Sequence, residues 1–174
     1  MADEAFARLA LPHLDAAYSL ARWLVRDQAV AEDVVQDAML RALTYFASFR
    51  GDNPRAWLLQ IVRNTAYSRL ALRREALEEP LDPDGKHEHV AESGPDPEAD
   101  LVRREGVSQL QLALEALPAE LRECVVLREL EEMSYRDIAR VTGVPVGTVM
   151  SRLFRGRQAL IRMGRATEAK ERTA

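Results

Sequence analysis

Residues 134–162 read SYRDIARVTGVPVGTVMSRLFRGRQALIR, and two short helical patterns meet in them at a glycine turn. Ser134, followed three residues later by Asp137, has the spacing of a capping box. Ile138, Ala139 and Val141 give the first helix its apolar side, and Gly143 supplies the positive φ at which such a helix stops. Pro145 suits the first turn of a second helix, in which Val146, Val149, Leu153 and Leu160 recur at helical spacing as a buried stripe. Thr148, Ser151, Arg152 and Arg155 fall together on the opposite face. A helix-turn-helix asks this of its second helix: a buried stripe to fix its angle, and Arg, Ser or Thr able to reach base edges and phosphates in a major groove. The plainer alternative is a compact helical pair with a solvated Arg-rich face. Turn glycine, cap, stripe and polar face taken together favour DNA binding.

Composition alone would not have pointed there. The chain of 174 residues has 24 Lys and Arg against 28 Asp and Glu, a net charge of −4, so any nucleic-acid surface must be local. Its length fits one medium domain or two small ones, and 47% hydrophobic residues are enough for real cores. Cys124 is the only cysteine, which excludes an internal disulfide and a cysteine-rich zinc site and fits a reducing compartment. Lying beside Leu121, Val125 and Leu127, it reads as a small buried hydrophobe rather than a redox sensor. The start, MADEAFARLALPH, is acidic where a secretory signal would be basic, and no run approaches the roughly 20 apolar residues of a membrane span. A cytoplasmic protein without membrane insertion is expected.

In order, the chain shows a helical block, a polar break and a second helical block. Apolar residues at 14, 18, 21 and 25 mark a helix from Leu14 to Val25, with Pro12 near its start. The next helix, Ala29 to Phe46, is expected to bury Ala31, Val34, Val35, Ala38, Met39, Ala42 and Phe46. Its other side carries Asp33, Gln36, Leu40 and Thr44, with Asp37 at the edge, so that a leucine stands amid a polar face. That arrangement reads either as a docking surface or as a singly exposed leucine. Arg50-Gly51-Asp52-Asn53-Pro54 has turn chemistry throughout, Asn53 capping and Pro54 opening a helix from Arg55 to about Arg74. Trp57, Leu58, Ile61, Val62 and Thr65 face inward there, Gln60, Arg63, Asn64, Tyr67 and Arg74 outward, and Arg69 projects toward the buried side. The outward set is a solvated face or, given its tyrosine, a platform for unpaired bases.

Residues 76–107 hold ten carboxylates against Lys86, Arg103 and Arg104, with several Pro and Gly. Such a segment lacks the apolar residues for a core and is expected to be a flexible linker. His87 and His89 lie in it with no further His or Cys near enough to complete a metal set. The last block then begins at Ser108 with Leu110, Leu112, Ala113 and Leu117, and continues after Pro118 with Leu121, Val125, Val126 and Leu130 beneath the helix-turn-helix. No nucleophile-base set, phosphate-binding glycine loop or metal cluster marks an enzyme, and no cofactor is expected.

With these pieces placed, the sequence resembles a bacterial RNA polymerase sigma factor of the extracytoplasmic-function group. AEDVVQDAMLRAL at 31–43 is similar to the family's polymerase-binding helix, WLLQIVRNTAYSRL at 57–70 to its minus-ten helix, and residues 117–160 to its whole fourth domain. The resemblance implies an all-α fold of two small domains: sigma domain 2 at 1–75, a flexible acidic linker at 76–107, and sigma domain 4 at 108–174. It implies that Asp33, Gln36, Asp37 and Leu40 dock on core RNA polymerase. It further implies that Arg50, Asn53, Arg63, Asn64 and Tyr67 hold the melted minus-ten strand of promoter DNA, and that Thr148, Ser151, Arg152, Arg155 and Arg157 meet the minus-thirty-five element. An anti-sigma factor is an implied further partner. Two positions depart from the family pattern: Ser68 stands where an Asp is usual, and Arg155-Gly156-Arg157 stands for Arg-Ala-Arg. Gly156 lowers helix propensity by about 1 kcal/mol relative to Ala and is a place for the reading helix to end. The competing expectation is a sigma mimic that occupies an anti-sigma factor without binding DNA.

Overall fold

A computed structural model describes residues 2–78 and 108–173, and among them every regular element is helical. Of the expected linker at 76–107, residues 79–107, with His87 and His89, lie outside the described residues, and 76–78 instead belong to the helix Pro54–Glu78.

Local capping fixes the first block. α1 (Ala2–Ala10) leads into a 3-10 turn at Leu11–His13 and then α2 (Leu14–Val25). α1 precedes the first helix that apolar spacing predicts. Its anchor is Phe6, whose ring meets Phe46 edge-on at 5.5 Å between centroids. Arg26 takes φ +61° to turn the chain, and the Asp27 carboxylate accepts from the Val30 N–H at 2.9 Å to cap α3 (Gln28–Tyr45). Asn53 caps α4 (Pro54–Glu78) in the same way, accepting from Ala56 N–H at 3.0 Å. α2, α3 and α4 pack on one another over Leu20, Leu24, Val34, Ala38, Leu58 and Val62.

Ser108 accepts from Gln111 N–H at 3.2 Å to start α5 (Gln109–Ala116) in the second block. α6 (Ala119–Val125) runs on as a π-helical turn, Val126–Leu130, in which Glu131 N–H donates to the carbonyl of Val126 five residues back. The expected cap holds for α7 (Tyr135–Thr142), where the Ser134 hydroxyl accepts from Asp137 N–H at 3.1 Å, and Gly143 closes that helix at φ +71°. α8 (Val146–Thr173) completes the helix-turn-helix and packs on α5, α6 and α7.

Three details differ from expectation. α8 does not end at Gly156: it continues to Thr173, and Gly156 is buried where an added Cβ would lie 2.7 Å from Val125 Cγ2. The glycine therefore lets α8 lie against α6 instead of breaking the helix. Leu114, and the expected Leu117 just past the helix end, anchor α5, whereas Leu110 and Leu112 line an open groove with Leu160 and Met163. Val149 and Leu153 are buried as the stripe predicts, but Val146, the first residue of α8, is exposed.

The two blocks touch: α7 lies along α4, α2 meets α6, and buried side chains of both join in one apolar core.

Candidate polymerase and nucleic-acid interfaces

The outward face of α3 is built as the spacing predicts. Ala31, Val34, Val35, Ala38 and Ala42 are buried, which turns Asp33, Gln36 and Leu40 to solvent. Leu40 is 65% exposed at the centre of that polar face. Asp37, at its edge, is half-buried and pairs with Arg69 of α4, so Arg69 has the structural role its inward direction predicts.

The loop before α4 is held by its own side chains. Arg50 Nη1 donates to the carbonyls of Ala47, at 2.8 Å, and Phe49, at 3.2 Å, and the rings of Phe49 and Trp57 lie 4.7 Å apart. Together with Ser48, Asn53 and Gln60 they surround a pocket of about 400 Å³. Arg140, from α7 of the other block, lines its edge and comes within 3.8 Å of Asp52.

On α4 and α8 the outward expectation fails for three residues. Asn64, Ser151 and Arg155 are exposed, but Arg63, Tyr67 and Arg152 turn toward the interface between the blocks. They meet at Glu123, a carboxylate on α6 with no solvent exposure. Arg63 donates to it from Nε at 2.8 Å and Nη2 at 3.0 Å, and its guanidinium lies 4.5 Å above the Tyr67 ring. Arg152 reaches the same carboxylate at 3.6 Å and Glu120 at 3.4 Å. Burial lowers the affinity of Arg63 for its proton, and the Glu123 hydrogen bonds and charge more than offset this, leaving its pKa raised. Burial, aided by the Glu123 charge, raises the Tyr67 phenol well above its ordinary value, and its hydroxyl has no hydrogen-bond partner among the described residues. Arg157 is exposed and paired with Glu129.

Arg55, Glu123 and Glu131 escaped the sequence reading. Arg55 of α4 donates to Glu131 at 2.8 Å across the blocks. A signal for Glu123 did exist: it shares a helical face with Val126 and Leu127, both fully buried, where a solvated carboxylate does not belong.

Known proteins match the same two blocks. Sigma-70 region 2 matches residues 9–76 and Sigma-70, region 4 matches residues 108–160. The RNA polymerase sigma-H factor of Pseudomonas aeruginosa is 36% identical over 165 residues, spanning 90% of this chain and 84% of that protein. The chain belongs to the sigma-70 family, in its extracytoplasmic-function (ECF) group. The ECF RNA polymerase sigma-E factor of Escherichia coli is 38% identical to this sigma factor over 136 residues, 74% of this chain and 70% of that one. Its fold is that of the sigma factor RpoE in complex with the anti-sigma factor NepR from Bartonella quintana, with a TM-score of 0.72 at 30% identity over 93% of this chain and 98% of that one. CnrH in complex with the cytosolic domain of CnrY gives a TM-score of 0.66 at 27% identity, over 94% and 90%. Each described block is less than half the chain, so such scores require both blocks to superpose together. Among the described residues no helix is long and apolar enough to cross a membrane.

Proposed function

We propose that this sigma factor binds core RNA polymerase through the α3 face of Asp33, Gln36, Asp37 and Leu40 and directs it to promoters carrying two elements. Residues 1–75 form the unit that docks and holds the melted minus-ten strand, through Arg50, Asn53, Arg63, Asn64 and Tyr67. Residues 108–174 read the minus-thirty-five element through Thr148, Ser151, Arg152, Arg155 and Arg157, and 76–107 join the two. The factor catalyses nothing itself. It works in the cytoplasm, where polymerase and promoter are, and an anti-sigma factor restrains it.

One observation supports this reading: the two sigma regions fall on the two blocks whose helices carry these residues, and Leu40 stands exposed on the first. Unstacking a base costs a few kcal/mol, and the loop pocket, lined by Phe49, Trp57 and Arg50, offers stacking and charge to offset it. The test is binding of the purified chain to core polymerase, followed by binding of the assembled holoenzyme to a promoter fork. A chain that binds an anti-sigma factor but neither polymerase nor fork is a sigma mimic.

A further inference from the structure

A carboxylate with no solvent exposure is costly to bury unless it is paired, and both arginines that pair with Glu123 are side chains assigned above to promoter DNA. Arg63 comes from α4 in the first block and spends two donors, Nε and Nη2, on this one group. Arg152 comes from α8 in the second block, more loosely, and its buried Nη1 has no hydrogen-bond partner among the described residues. Around this centre Arg55 reaches across to Glu131, which the π-helical turn presents, and Arg140 approaches Asp52 beside the loop pocket. A guanidinium whose fork is occupied by a carboxylate cannot offer the same donors to a base or phosphate.

We propose, on the strength of the promoter-reading assignment above, that Glu123 is an intramolecular latch: it closes the free chain by occupying one promoter-reading arginine from each block, so that the sigma factor masks itself without a partner. The relative placement of the blocks is close to that of the sigma factors solved with an anti-sigma chain, and the pair that spans them, Arg63 with Glu123, lies within this chain. When Arg63 leaves, the carboxylate opens to solvent, and its looser 3.6 Å hold on Arg152, within the second block, gives way to DNA. Removing the carboxylate instead leaves Arg63 at the interface without its counter-charge and Arg152 with only the exposed Glu120, which drives the blocks apart.

The test uses the full chain with spin labels at two exposed sites, Glu32→Cys and Gln158→Cys, and reads their separation by pulsed electron resonance. One narrow distance is expected in the parent. Glu123→Gln should lengthen and broaden it, and so should Glu131→Arg and Arg55→Glu, neither of which touches a residue assigned to DNA or polymerase. The double exchange Arg55→Glu with Glu131→Arg should restore the narrow distance. Opening should also tighten binding of the free chain to a promoter fork by about tenfold, the factor by which a population closed nine times in ten lowers apparent affinity. Arg55→Glu is decisive here, because it removes positive charge and must nevertheless strengthen DNA binding. A narrow distance unchanged in Glu123→Gln, a parent already broad, or opening without tighter fork binding would each overturn the latch. Failure of holoenzyme to bind the fork would instead overturn the promoter reading, since the distance is measured without DNA.

Discussion

Replacing Gly156 with alanine sets two effects of opposite sign against each other. In an open helix the change stabilises by about 0.5–1 kcal/mol, because glycine loses more backbone freedom on folding. At Gly156 the new Cβ would lie 2.7 Å from Val125 Cγ2, well inside the roughly 3.5–4.0 Å at which two carbons attract. Val125 is 3% exposed and β-branched within a helical stretch, so it cannot swing its methyl aside cheaply. Overpacking of this kind costs about 1–3 kcal/mol, and the net expectation is destabilisation by roughly 1–2 kcal/mol. At roughly 2–4 °C per kcal/mol for a chain of this size, Tm should fall by about 2–8 °C in calorimetry. Gly164→Ala on the same helix, exposed with nothing within 4 Å of the added atom, should raise it. Val125→Ala combined with Gly156→Ala removes the overlap and should show a coupling of about 1 kcal/mol in a double-mutant cycle. If Gly156→Ala stabilises as much as Gly164→Ala, α8 does not approach α6 here and the helix packing described above is wrong.

Leu40→Asp and Asp33→Arg, at exposed positions, should each weaken core-polymerase binding by about tenfold or more while circular dichroism stays unchanged; intact affinity would remove α3 as the docking face. Arg152→Ala should cost about 1–3 kcal/mol at one base pair and re-rank single-base variants of the minus-thirty-five element in holoenzyme. Arg157→Ala should instead weaken all sequences alike and lower the salt slope by about one. Because Arg157 is paired with Glu129, Glu129→Ala should strengthen DNA binding uniformly, and a change in ranking would contradict the phosphate role. Burial, followed by the charge of Glu123, raises the Cys124 thiol from 9.0 to about 11, which favours the neutral form. Its contribution to stability is complete below about pH 9 and is lost as pH rises through about 11, and at pH 8 iodoacetamide should modify Cys124 only as fast as the chain unfolds. Rapid labelling of native protein would show that the cysteine is not packed as described.

What could be read from the sequence was local. Ser134, Asn53 and the glycine at 143 act within a few residues of themselves, and the α3 face follows from helical period alone, so each is where spacing places it. Arg63 and Arg152 were legible as a pair of promoter-reading candidates but not as partners of one carboxylate, because their meeting depends on how two blocks dock and no helical period encodes that. Gly156 misled for the same reason: its propensity is a property of one residue, while its use depends on Val125 of another helix. Leu110 and Leu112 fit an apolar pattern, yet the short α5 turns Leu114 to the core, with Leu117 just beyond its end, and leaves the other two in a groove.

The most direct measurement is transcription started by the purified chain with core polymerase on a library of templates randomised at both promoter elements. The expected result is that transcripts arise from a subset of templates that share two fixed elements, and that Arg152→Ala shifts the preferred minus-thirty-five sequence without altering the preferred minus-ten sequence. Core polymerase that binds the chain yet starts no template above its own background would contradict it.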